Sequence, residues 1–144
     1  MIARANVSDL VALFSLETAC FSEPWSEKTL LNLLENPAYL VLLERDGDGK
    51  PRGYLIGWQV GEDAELARLG VMPDLRGQGF GGLLVEYAIP IWRTSGARNF
   101  FLEVRESNLV ARRLYKARGF EEIGRRSNYY QNGETAIVLR FDIG

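Results

Sequence analysis

Apolar and polar positions along the chain alternate between two rhythms. In "SDLVALFSLETACF", Leu10, Leu13, Phe14 and Glu17 follow a helical spacing behind a capping Ser8 or Asp9. A second helix is predicted over "SEPWSEKTLLNLLENP", with Ser26 as N-cap and a stop between Glu35 and Pro37. "AYLVLLERDGDGKPRGYLIGWQV" holds two β-rich runs joined by turn residues Asp46 to Pro51, which predicts a hairpin. "AELARLGV" predicts a third strand, and "GGLLVEYAIPIWRTSG" a helix that Pro90 must kink or shorten. "NFFLEVR" is dense enough in apolar residues to predict a strand buried on both faces. "NLVARRLYKARGF" predicts a short helix with an Arg-Gly C-cap, and the last residues a hairpin turning at Gln131-Asn132-Gly133. Helices alternating with strands in the centre, with hairpins at both ends, imply an α/β chain built on a mixed sheet with helices on both faces.

Composition narrows what such a fold can do. The 144 residues fit one domain, 1–144, and 47% hydrophobic content supplies a core without disulfides. The single cysteine, Cys20, excludes a disulfide framework and points to a reducing compartment. The N-terminus lacks the pattern of a signal peptide, and no apolar run approaches the ~20 residues of a membrane span. A cytoplasmic protein with no membrane partner is expected. Seventeen basic and nineteen acidic residues leave a net charge of −2, without the basic excess of a nucleic-acid binder. Histidine is absent, which removes the commonest general base, the His-activated nucleophiles and most transition-metal sites. Catalysis must therefore run on carboxylates, tyrosine, lysine, cysteine or backbone groups, and no metal is expected.

The stretch "LGVMPDLRGQGFGGLLVEYA" carries five glycines and Arg76 between the third strand and a helix. A helix N-terminus offers unpaired N–H groups and about half a positive charge. Glycines there let phosphate oxygens approach those groups, and Arg76 adds a fixed charge. The alternative is a plain strand-to-helix turn with glycines for close packing. Gly77, Gly79 and Gly82 match the G-x-G-x-x-G spacing, but two helices and a hairpin precede the loop, unlike a dinucleotide fold. The P-loop pattern is absent. Arg76-x-x-Gly79-x-Gly81 after an apolar strand resembles the GCN5-related N-acetyltransferase (GNAT) family, whose acetyl-CoA pyrophosphate site carries Q/R-x-x-G-x-G/A. The resemblance runs along essentially the whole chain. More narrowly, "PWSEKTL", "LEVRESNLVARRLYKARGF" and "RRSNYYQNGETAIVL" look like bacterial ribosomal-protein-alanine N-acetyltransferases. One position departs from that type: Thr135 stands where Glu-Asp-Ala is often found.

The resemblance implies a GNAT fold: a central mixed, mostly antiparallel sheet with a splayed strand pair holding acetyl-CoA. It implies Glu103 as proton acceptor, directly or through water, and Tyr115 as proton donor to the departing CoA sulfur. Leu69, Gly70 and Val71 would pair with the pantetheine arm. Arg76, Gly77, Gln78, Gly79, Phe80, Gly81 and Gly82 would hold the diphosphate, with Asn108 beside the arm. Tyr129 and Tyr130 would line the path of the acceptor, the α-amine of a protein N-terminus, namely the alanine of ribosomal protein S18. The residues themselves leave other roles open. Glu103 also reads as a structural partner of Arg68 or Arg105, and burial of its strand would raise its pKa. Tyr115 reads as a packing residue, Asn108 as an N-cap, and Tyr129 and Tyr130 as strand packing. Trp25 and Cys20 read as core. Arg112, Arg113, Lys116 and Arg118 read as a solvated helix face, with a role on CoA phosphates as the alternative. A small-molecule amine acetyltransferase of the same fold and a non-catalytic acyl-CoA sensor are the competing functions.

Overall fold

The computed structural model describes residues 1–144. Seven strands form one sheet in the order β1-β2-β3-β4-β5-β7-β6. They are β1 (Ile2–Arg4), β2 (Tyr39–Arg45), β3 (Pro51–Val60), β4 (Asp63–Val71), β5 (Asn99–Arg105), β6 (Glu121–Arg126) and β7 (Ala136–Asp142). All neighbours are antiparallel except β4 and β5. The helices are α1 (Leu10–Cys20), α2 (Glu27–Glu35), α3 (Phe80–Thr94) and α4 (Leu109–Ala117). No helix is long and apolar enough to cross a membrane.

Period-two alternation divides the strands between two cores. Along β2, Leu40 and Leu42 face one cluster with Leu84, Trp92 and Phe100, while Val41 and Leu43 face another with Leu13, Leu30 and Tyr54. Helices α3 and α4 cover the first face; α1 and α2 cover β2–β4 on the second.

Three local expectations need correction. The cap before α1 is neither Ser8 nor Asp9 alone. A short 3₁₀ turn precedes the helix, and Asn6 Oδ1 accepts from Ser8 N–H while Asp9 Oδ2 accepts from Asn6 N–H, both at 2.9 Å. Of the kink or shortening expected at Pro90, shortening is ruled out, since helix α3 runs on to Thr94. Pro90 lies on the exposed side, where water can serve the carbonyl its missing N–H leaves free. Strand β5 is buried on one face only: Phe100, Leu102 and Val104 enter the α3/α4 core, whereas Asn99, Phe101 and Glu103 remain half-buried. The second helical pair packs over β2–β4 and leaves the opposite face of β5 uncovered.

Pairing between β4 and β5 sets up the site. It extends over Asp63–Glu65 and Asn99–Phe101 only. Beyond it β4 continues to Val71 and β5 to Arg105 without bonding to each other. The strands thus splay in the middle of the sheet, leaving two edges that face across a gap without pairing to each other.

Candidate active site

On the α3/α4 side of the gap lies a cavity of 520 Å³, walled by the end of β4, the loop before α3 and the inner face of α4. Leu69 and Val71 form one wall, Arg76, Gly77, Gly79, Phe80 and Gly81 the floor, and Asn108, Leu114 and Tyr115 the other wall. The backbone explains the polarity of this space. Met72 N–H donates to Arg52 C=O at 2.9 Å, so antiparallel alternation turns the N–H and C=O of Val71 away from β3 and into the gap. Leu69 points the same way by the same count.

The loop before α3 exposes further donors. Gly79, the N-cap, has φ +89° and Gly77 has φ +81°, left-handed values that disfavour a β-carbon. The first bond of the helix runs from Leu83 N–H to Gly79 C=O at 3.1 Å. The amides of Phe80, Gly81 and Gly82 have no helical partner and present positive charge at this end of the cavity. Arg76 is exposed, and its Nε donates to Val71 C=O at 3.1 Å.

Tyr115 is buried on the cavity side, 6% exposed, edge-on to Phe120 at 5.4 Å. Its hydroxyl makes no hydrogen bond within the protein, and burial raises the phenol's pKa well above the usual range. It stays protonated at any working pH. Asn108 caps α4, its Oδ1 accepting from Ala111 N–H at 3.1 Å, and lines the cavity as well.

Glu103 lies on the other face of the splayed pair. Its side chain is 19% exposed, not enclosed by apolar residues as its strand suggested. Its ionic partner is Arg126 at 3.6 Å; Arg68 and Arg105, the partners read from the sequence, are engaged with Glu17 and Glu134. Glu65, one pairing step back on the same face, has its pKa raised by burial and then by the charge of Glu103. The β6–β7 turn brings in the aromatics. Tyr129 and Tyr130 meet edge-to-face at 5.2 Å, with Arg126 over the first ring at 5.6 Å and Arg105 over the second at 3.8 Å. The adjacent carboxylate of Glu103 raises the Tyr129 phenol, first as hydrogen-bond acceptor and then by its charge. Glu134 is held low by hydrogen bonds from the Ser107 side chain and from Ser107 N–H, which donates to it at 2.8 Å, and then by Arg105. Thr135, the departing position, engages through its backbone, accepting from Glu106 N–H at 3.0 Å.

Three residues expected around the cofactor do not wall the cavity. Gly70 points its Cα at the α1 side, where a β-carbon would meet the Tyr54 ring at 2.5 Å. Gln78 is exposed on the outside of the loop. Gly82 turns toward Arg118.

A further element was not expected from the sequence. Arg68 of β4 lies between Phe21 and Trp25, its guanidinium carbon 4.0 and 4.4 Å from the ring centroids. Its Nη2 pairs at 3.2 Å with Glu17, which is wholly buried and also accepts from Trp25 N–H at 2.7 Å and from the Tyr54 hydroxyl. This cluster latches residues 21–25 onto β4 next to Leu69. The signal was the single cation, Arg68, within "AELARLGV" and the lone charge of Glu17 in α1. Cys20 belongs with the packing, as expected: burial raises its pKa, and its Sγ donates to Val71 C=O at 3.4 Å.

A cleft with free amides and a phenol on one side and a carboxylate under an aromatic rim on the other suits transfer of a group through the sheet. Comparison with known proteins agrees. The family model described as the Acetyltransferase (GNAT) family matches residues 10–120. A [Ribosomal protein bS18]-alanine N-acetyltransferase of Salmonella typhimurium is 34% identical over 145 residues, covering 99% of this chain and 97% of that protein. The crystal structure of the ribosomal-protein-S18-alanine N-acetyltransferase from Escherichia coli superposes with a TM-score of 0.89 at 34% identity, over 100% of this chain and 94% of that one. The fold also recurs, at 23% identity and a TM-score of 0.83, in a NatC complex bound to Gag peptide and CoA, over 99% of this chain and 97% of that one. The chain belongs to the GNAT family of N-acetyltransferases.

Proposed function

We propose that the chain uses acetyl-CoA to acetylate the α-amine of a protein N-terminus, the alanine of ribosomal protein S18 first among them, by direct transfer. The observation that carries this reading is the splay of β4 from β5, with Tyr115 on one face and Glu103 on the other. The residues present fit the cofactor. Val71 and Leu69 offer strand-edge groups to the pantetheine amides, as an added strand would use them. The amides of the first turn of α3, with Gly77 and Gly79 beneath them, suit a diphosphate. Bound there, acetyl-CoA supplies a thioester open to attack by an amine.

Each protein group then has a defined task. Glu103 takes a proton from the incoming ammonium, directly or through water, so that the nitrogen lone pair is free. Val71 N–H donates to the thioester oxygen, where charge develops during attack. Tyr115, kept protonated by burial, would give its proton to the sulfur as the C–S bond breaks, and the second proton shed by the acylated nitrogen would restore the phenol. Tyr129 and Tyr130 line the acceptor side beside Glu103. The named relatives support an alanine acceptor.

The test is thiol release from acetyl-CoA with a panel of amines. A peptide carrying the S18 amino-terminal sequence, beginning with alanine, should be acetylated on its α-amine and preferred over spermidine and an aminoglycoside by about tenfold or more in kcat/KM. Preference for the small amines would overturn the acceptor. CoA binding without thiol release from any amine would make the protein a sensor.

A further inference from the structure

Gly82, in the first turn of α3, is set against a charge. A β-carbon there would lie 1.9 Å from Arg118 Nη2 and 2.3 Å from its Cζ, so the guanidinium fills the notch that the missing side chain leaves. Arg118 arrives from the C-cap of α4 and lines the same cavity as Arg76, Gly77, Gly79 and Arg113. Its hydrogen bonding is incomplete. Nη1 donates to Leu114 C=O at 3.2 Å, but Nε is buried with no hydrogen bond, although the largely exposed Glu86 carboxylate is 3.3 Å away. Nη2, the atom against Gly82, has no acceptor either. Only 25% of the side chain is exposed. Burying a guanidinium donor such as Nε without an acceptor is costly, and a doubly charged oxyanion is the group whose geometry the guanidinium fork matches.

We propose that Arg118 is a diphosphate-binding residue of the acetyl-CoA site, and that position 82 is glycine in order to seat it. The inference rests on the reading of the cavity as the acetyl-CoA site. The diphosphate is favoured because the guanidinium lies against the same helical turn whose free amides face the cavity. Arg118 thereby leaves the solvated basic face of Arg112, Arg113 and Lys116, with which its spacing groups it. The missing β-carbon of Gly82, in turn, acts through Arg118, while the Gly82 amide, which Gly82→Ala keeps, stays among the donors of that turn.

The experiment is calorimetric titration of the full chain with CoA and dephospho-CoA, together with steady-state kinetics on acetyl-pantetheine. Arg118→Met should weaken CoA and dephospho-CoA alike by about tenfold to a hundredfold, the range for hydrogen bonds to a charged group. The KM for acetyl-pantetheine, which lacks the diphosphate, should stay within about twofold of wild type. Gly82→Ala should weaken CoA in the same sense and add little in the Arg118→Met background, because the two act as one unit. Unchanged CoA affinity in Arg118→Met would overturn the proposal. So would a loss confined to CoA, which would move the contact to the 3′-phosphate, or an equal loss on acetyl-pantetheine, which would mark a general packing defect. Wild-type protein that binds no CoA would instead defeat the cavity reading, and this proposal with it.

Discussion

Glu103→Gln should lower turnover by about 10²–10⁴, the span usual for loss of a general base, while CoA affinity stays within about twofold. The reason lies in the placement of the side chain. Glu103 projects from the uncovered face of β5, beside Tyr129 and Arg126 and away from the walls of the α3/α4 cavity. Glutamine keeps the shape and polarity but cannot hold the proton. The sign of the pH dependence follows from the acceptor. A peptide α-amine titrates near 8, so below that pH most acceptor molecules arrive charged and need the base. The deficit should therefore be greatest at low pH and shrink above pH ~8. Tyr115→Phe should reduce kcat without loss of stability, since the hydroxyl it removes makes no hydrogen bond within the protein. Progress curves from pH 6 to 9 on the alanine peptide check both variants. A constant deficit across that range would contradict the role of Glu103 as base.

Arg68→Ala should destabilise the protein by about 3–5 kcal/mol, because it strands a buried carboxylate. Glu17 is 0% exposed, and Arg68 is its cationic partner. The two neutral donors that remain, Trp25 N–H and the Tyr54 hydroxyl, do not compensate its charge. The burial of Tyr54 and its contact with this carboxylate raise the phenol's pKa far above the usual range, so it offers only its neutral form. The two rings also lose the cation between them, a further ~0.5–2 kcal/mol. Against a total stability of ~5–15 kcal/mol this is a large fraction, equivalent to a fall in Tm of roughly 10 °C or more. Arg68→Lys should recover only part of it, since an ammonium cannot stack flat between Phe21 and Trp25. The double variant Arg68→Met, Glu17→Leu should recover most of it, as apolar replacement of a buried pair commonly does. Urea denaturation of the three variants measures each step. A loss below about 1 kcal/mol for Arg68→Ala would show that the latch does not hold the 21–25 loop.

Ser26, the Asp46–Pro51 turn and the Arg-Gly end of α4 were legible because each depends on local chemistry: a cap, a turn, a left-handed glycine. The glycine loop was legible for the same reason, since Gly77 and Gly79 adopt the conformations that only a missing side chain makes easy. Tertiary pairing was not. Apolar density along "NFFLEVR" predicted two buried faces, but which face is covered depends on how far α1 and α2 reach across the sheet. Glu103 was expected to meet Arg68 or Arg105 because they are near in sequence or charge. Strand order instead brought Arg126 to it and left Arg68 to a carboxylate 51 residues away in the chain, in α1 (68 − 17). The close contact of Gly82 with Arg118 likewise joins two helices that no periodicity relates.

The central claim is that Tyr115 and Glu103 flank one reacting centre from opposite faces of the splayed strands. A crystal structure of the protein with CoA and an alanine-starting peptide measures this directly. The diphosphate should lie on the amides of residues 80–82, the sulfur within hydrogen-bond reach of the Tyr115 hydroxyl, and the peptide amine within reach of Glu103 directly or through one water. A sulfur lying outside the gap between β4 and β5, or a peptide amine seated away from Glu103, would contradict it.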